Sequence, residues 1–191
     1  MEQDRSRWER RYEQKAADAR HPPSRFLQYC LDRLPRGRAL ELACGDGRNA
    51  VLLARHGFIV DAIDIAAAGL RRAADVVRAE RLRVQLVQAD LDSFPLPVGR
   101  YGVVINVRFL QRRLFSAIKR CVQPGGMVVF ETFTSEQAQL GHPTNPAYLL
   151  EPGELRRAFA DFDILVYEEG RFDTETGAAH LARLLARRPT P

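Results

Sequence analysis

"ALELACGDGRNAVLLARHGF", Ala39 to Phe58, decides the fold. It passes from an apolar run to a glycine-rich loop and then to an amphipathic segment. "RALELA" reads as a buried strand, and "RNAVLLARHG" places apolar residues at helical spacing with Gly57 as the stop signal. The same rhythm continues outward. "FIVDAIDI" is a second strand, "AAGLRRAADVVRAERL" a helix with Leu70, Ala73, Ala74 and Val77 on one stripe, and "RVQLVQAD" a third strand. "LDSFPLPVGR" is too short and proline-rich for a full helix. "YGVVINV" is a fourth strand, "FLQRRLFSAIKRCV" a helix, "QPGG" a turn and "MVVFETFT" a fifth strand. A long loop, "TSEQAQLGHPTNPAYLL", leads to a short helix in "PGELRRAFA" and a strand in "FDILVYEEG". Strands alternating with helices predict an α/β protein with a parallel sheet and helices on both faces. Upstream, residues 2–19 read as a charged helix with Trp8 and Tyr12 on one face. "HPPS" breaks it, and Ser24 is placed to cap a second helix, "RFLQYCLDRL". The tail "AAHLARLLARR" fits a helix slightly better than a strand by periodicity alone.

The bulk properties narrow the classes of function. A chain of 191 residues is expected to form one domain. The net charge of +5 comes from scattered arginines, with no basic block interleaved with aromatics, so a nucleic-acid partner is not expected. The longest apolar runs fall well short of the roughly 18 residues of a membrane span. The N-terminus "MEQDRSRWERRYEQK" lacks the apolar region of a secretory signal. A cytoplasmic protein without a membrane partner is the expectation. Three cysteines, Cys30, Cys44 and Cys121, stand far apart, and four histidines, His21, His56, His142 and His180, show no ligand spacing; no metal is expected.

In an open α/β sheet, ligands bind beyond the carboxyl ends of the strands. The loop "ACGDG" lies there, its glycines permitting close backbone approach and the following helix offering free N–H groups. The dinucleotide pattern G-x-G-x-x-G, aligned on Ala43 and Gly45, would need its third glycine at Arg48, where a bulky side chain blocks close helix–strand packing. The pattern E-x-(G/A)-x-G-x-G fits instead, through Glu41, Ala43, Gly45 and Gly47. A carboxylate at that strand end suits an ammonium group, not a pyrophosphate. Asp64, about 20 residues on, ends the second strand where a carboxylate takes ribose hydroxyls. Asp90 ends the third, where an acid followed by a free N–H reads adenine. Ammonium, ribose and adenine in that order describe S-adenosylmethionine.

With these motifs in place the sequence resembles the class I S-adenosylmethionine-dependent methyltransferases over nearly its whole length. It is most similar to their tellurite-resistance-like small-molecule branch. The residues that carry the resemblance are Trp8, Arg11 and Tyr12, "PPSRFL", "LELACGDGRNAVLLARHGF", "PGGMVVFETFT" and "GHPTNPAYLL" followed by "PGEL". The resemblance implies a Rossmann-like, doubly wound seven-stranded sheet, mostly parallel with an antiparallel last strand, so "AAHLARLLARR" becomes a strand. It implies one domain over 1–191, with a helical lid over 1–36 and a core over 37–191. It assigns the methionine moiety to Glu41 and the backbone of Ala43, Cys44, Gly45 and Gly47. The ribose falls to Asp64 with Ile65 beside it, and the adenine to Asp90 and Leu91. Asn106 forms the floor near the sulfonium. Arg48 and Asn49 open the helix near the cofactor carboxylate, and Arg20 and Ser24 close over it. One segment departs from the pattern: Gln111 and Arg113 stand where relatives often carry histidine and proline.

The implied reaction is an in-line SN2 transfer of methyl to a small-molecule acceptor, a thiol or chalcogen oxyanion, leaving S-adenosylhomocysteine. The protein aligns donor and nucleophile and excludes water. Candidates over the methyl group are Tyr12, Arg112 and His142, with Trp8, Tyr148, Arg108 and Glu131 near them in the chain's plan. RNA or protein methylation, and a catalytically silent S-adenosylmethionine-binding regulatory module, are the alternatives. Oligomeric state is left open.

Overall fold

The computed structural model describes residues 2–14 and 21–190. The later part of the expected 2–19 helix, and Arg20 with it, lies outside the described residues. Helix α1 spans Glu2–Glu13, and α2 spans Arg25–Cys30, continued by a 3-10 turn over Leu31–Arg33. Ser24 caps α2 as expected, its hydroxyl accepting from the Leu27 amide at 3.2 Å.

The strands are β1 (Arg38–Leu42), β2 (Ile59–Asp64), β3 (Val84–Gln88), β4 (Tyr101–Val107), β5 (Val122–Phe133), β6 (Asp163–Thr174) and β7 (Gly177–Arg187). The helices between them are α3 (Arg48–Arg55), α4 (Ala67–Ala79), α5 (Leu114–Cys121) and α6 (Glu154–Ala158). The seven strands form one sheet in the order β3-β2-β1-β4-β5-β7-β6. β1 is parallel to both β2 and β4, so the chain reverses direction across the sheet between them. That switch point opens a crevice at the strands' carboxyl ends. β7 runs antiparallel to both β5 and β6 and is the sheet's one reversed strand.

Successive side chains on a strand point to opposite faces. Leu40 and Leu42 join one core with Phe130, Leu155 and Phe159, while Ala39 joins the other with Leu53, Phe58 and Ile105. A strand buried on both faces reads as a continuous apolar run. This explains the ambiguity of the tail: Leu181 through Ala186 are all buried in β7, between β5 and β6, so no alternation survives in the sequence.

Two expected boundaries are corrected. The helix read over 109–122 begins only at Leu114, because Arg108 takes a left-handed φ of 59° and turns the chain sharply after β4. "QPGG" does not separate α5 from β5. Val122 already pairs with Tyr101, and the next pair is Val103 with Met127, so these four residues bulge out of a strand already begun.

Candidate active site

The glycine loop follows Leu42. Ala43, Gly45 and Gly47 all take left-handed φ values, of 51°, 58° and 73°. For Ala43 that conformation is strained. A Cβ on Gly47 would lie 2.7 Å from the Ala73 Cβ, so that glycine lets α4 pack against the loop.

Three acids end three neighbouring strands around this loop. Glu41, on β1, is 2% exposed. Its Oε1 accepts from Asn49 Nδ2 at 2.9 Å, and its Oε2 is buried without a hydrogen-bond partner. Burial pushes its pKa up to about 7, against the opposing pull of the Asn49 bond. Asn49 Oδ1 in turn accepts from the Ser24 amide at 2.9 Å. Asp64, ending β2, accepts from the Gly45 amide at 2.7 Å and the Ala66 amide at 2.8 Å, which ties the glycine loop to the strand end. Burial raises its pKa too, against those backbone bonds. Asp90, just past β3, accepts from the Asp92 amide at 2.9 Å, and Leu91 beside it is buried. Asn106, near the end of β4, donates to the Phe109 carbonyl at 2.6 Å. Ile65 is half-buried beside Asp64, and Cys44 is buried within the loop. Arg48 opens α3 but reaches toward the lid segment, donating to the Pro22 carbonyl at 2.8 Å and pairing with Glu175 at 3.0 Å.

The three candidates for chemistry have different surroundings. Tyr12 sits against Gly45. Arg112 is spent on a two-point bond with Glu154, at 2.6 and 2.9 Å, and on the Leu149 carbonyl at 2.7 Å. His142 is exposed, in the loop after β5. The departing positions Gln111 and Arg113 both bind Asp92, so they anchor the segment after β4 to the one after β3.

A further cluster was only partly legible. Glu131, on β5 and 1% exposed, binds Arg183 Nε at 2.8 Å, Arg108 Nε at 3.4 Å and the Ser24 hydroxyl at 3.2 Å. Arg183 also lies 3.9 Å over the Phe172 ring. Sequence reasoning missed Arg183 and Glu175. The signal for Arg183 was a lone cation inside an apolar run, which needs a buried partner. Burial lowers the pKa of Arg108, and its Nη2 is buried without a hydrogen-bond partner. Among the described residues no group of three or more His, Cys, Asp and Glu side chains is placed to hold a metal ion. Among them, too, no helix is long and apolar enough to cross a membrane.

Comparison with known proteins points to methyltransferases. Residues 39–126 match the methyltransferase domain family. An uncharacterized methyltransferase of Mycobacterium bovis is 32% identical over 107 residues, 53% of each chain. The chain spans about half the length of the curated relatives it matches. TehB from Haemophilus influenzae superposes with a TM-score of 0.73 at 20% identity, covering 85% of this chain and 61% of that one. A geranyl diphosphate C-methyltransferase from Streptomyces coelicolor, solved with Mg2+, geranyl diphosphate and S-adenosyl-L-homocysteine, gives 0.66 at 16% identity, covering 84% and 78%. Residues 39–126 are thus similar to the methyltransferase domain family, and the chain shares the Rossmann-like fold of solved methyltransferases.

Proposed function

We propose that this protein transfers the methyl group of S-adenosylmethionine to a small-molecule acceptor. The observation that carries the reading is the orphaned Oε2 of Glu41. A buried carboxylate oxygen without a donor is costly, and an ammonium group supplies the missing partner with a matching charge. The remaining residues fit the rest of that cofactor. The backbone of Ala43, Cys44, Gly45 and Gly47 takes the methionine moiety, with Arg48 and Asn49 at the helix start. Asp64, beside Ile65, takes the ribose hydroxyls. Asp90 and Leu91 take the adenine, and Asn106 floors the site at the end of β4. Residues 1–36 form the lid of a single domain whose core is 37–191.

When bound, the cofactor supplies an activated sulfonium methyl. The chain's own work is to hold the donor, align the acceptor in line and keep water out. Two arginines after β4 could draw an anionic acceptor: Arg112 is engaged by Glu154, whereas Arg108 keeps an unpartnered guanidinium nitrogen. That favours an acceptor with an anionic or soft nucleophile, a thiolate or a chalcogen oxyanion, which needs no strong general base.

The test is calorimetric titration with S-adenosylhomocysteine, with NAD as the control. Micromolar binding of the first and none of the second is expected. Binding of NAD alone, or of neither, overturns the cofactor assignment. Methyl transfer from S-adenosylmethionine to thiols, selenite and tellurite, with RNA and protein as comparison acceptors, then tests the acceptor class.

A further inference from the structure

Helix α1 turns two residues inward, Glu9 and Tyr12, spaced at i, i+3 on one face. Glu9 accepts twice from the Ala68 amide, at 3.0 and 3.1 Å, and binds Arg71 at 3.1 Å, so it caps the start of α4 from outside the core. Tyr12 goes deeper. A Cβ placed on Gly45 would run into its hydroxyl, and one on Gly69 would lie 3.2 Å from ring carbon Cδ2. The phenol therefore fills the notch between two glycines, one in the glycine loop and one in the first turn of α4. Burial, and then the Asp64 and Asp46 carboxylates, hold its pKa up, so it stays a neutral hydroxyl. Arg7 also lies 5.6 Å over the Tyr148 ring. Trp8 packs beside Tyr12 at 6.2 Å, and Tyr148 reaches Asp4 at 3.5 Å. Arg5, Arg10 and Arg11 remain exposed on its outer side.

We propose that α1 is a self-occupying strap on the cofactor cleft: Tyr12 rests on the surface of Gly45 and beside Asp64, where the ribose is to bind, and the cofactor has to displace it. The inference rests on the cofactor reading given above. The two ligands of this surface, a phenol on a polar helix and a ribose, exclude each other. Occupancy by Tyr12 therefore lowers the apparent affinity by the fraction of molecules in which the strap is seated. Glu41 and Asp64, the two acids of this cleft, are both buried.

The chain carries its own reporter, because Trp8 is its single tryptophan and packs on Tyr12. Intact protein is titrated with S-adenosylhomocysteine while Trp8 emission and its quenching by acrylamide are followed. A red shift with increased quenching is expected on binding. The full-length variants Tyr12→Ala and Glu9→Gln, first checked for cooperative thermal unfolding, are expected to bind at least fivefold tighter, with faster association. Weaker or unchanged binding in both variants, or a blue-shifted and protected Trp8, overturns the strap, since a helix that closes on bound cofactor gives that pattern. If wild type and both variants all fail to bind, the cofactor reading itself fails. If wild type binds but the variants gain nothing, the strap alone fails.

Discussion

Asn49 holds one oxygen of Glu41: its amide nitrogen donates to Oε1 at 2.9 Å, and Oε2 is buried without a hydrogen-bond partner. Glu41→Gln keeps the shape and removes the charge that an ammonium needs. It is expected to weaken S-adenosylhomocysteine binding by tenfold or more, about 1.4 kcal/mol, in calorimetry. Affinity unchanged in this variant would remove the residue from the site.

The same carboxylate predicts a pH dependence. Burial raises its pKa in the folded chain from the ordinary carboxylate range to about 7, so the folded state binds the proton more tightly. Stability from this group is therefore greatest below the unfolded pKa and falls as pH rises toward 7. Ligand binding runs the other way, because an ammonium favours the ionised carboxylate. Affinity for S-adenosylhomocysteine is expected to rise between about pH 5 and pH 7 and then level. Titrations near pH 6 in buffers of different ionisation enthalpy should show proton release, and Glu41→Gln should abolish it.

Asp64 has a structural duty besides its proposed one, since both carboxylate oxygens accept backbone amides, from Gly45 and Ala66. Asp64→Ala is expected to lower cofactor affinity at least tenfold. It also leaves two amides unpaired, at a cost of about 1–3 kcal/mol, but does not unfold the chain. Denaturant melts separate the two effects. The milder Asp64→Asn, which keeps one acceptor oxygen, should recover part of the stability and little of the affinity.

Two small residues in the glycine loop should respond with opposite signs. Ala43 carries a left-handed φ of 51°, and Ala43→Gly is expected to stabilise by about 1 kcal/mol. Gly47→Ala meets both a φ of 73° and the Ala73 Cβ at 2.7 Å, so it should destabilise by more than that and shift α4. Equal and small changes in Tm for the two would contradict the backbone geometry.

Arg183 and Glu131 form a nearly dry pair across β5 and β7. Arg183→Met leaves Glu131 with Arg108 at 3.4 Å as its remaining cation and is expected to cost about 3–5 kcal/mol in urea unfolding. Loss of less than 1 kcal/mol would mean that Arg108 alone satisfies the carboxylate.

Local pattern made much of this molecule legible. The strand–loop–helix of Ala39–Phe58 and the acids at Glu41, Asp64 and Asp90 can be read because each lies at a strand end, where an acid beside an apolar run stands out. The seventh strand was not readable by periodicity, since burial on both faces erases alternation; resemblance supplied it. The Glu131–Arg183 pair was hidden for a different reason. Its members are 52 residues apart and meet only through the register of an antiparallel pairing, which no local rule anticipates. Tyr12 was read as a candidate over the methyl group, but its seat between Gly45 and Gly69 could not be, because that depends on how a polar helix lands on the finished sheet.

The position of β7 has a consequence for how the chain assembles. The strand that comes last in sequence lies inside the sheet, and within that sheet β6 pairs with nothing else. During synthesis β5 stays an open edge, and β6 has no place to dock, until residues 177–187 have left the ribosome. A chain halted before them therefore presents bare strand edges and the apolar surface of both cores, an invitation to aggregate that chaperones have to cover. The fold is sealed by its final hairpin, in the manner of a keystone set after the arch is raised.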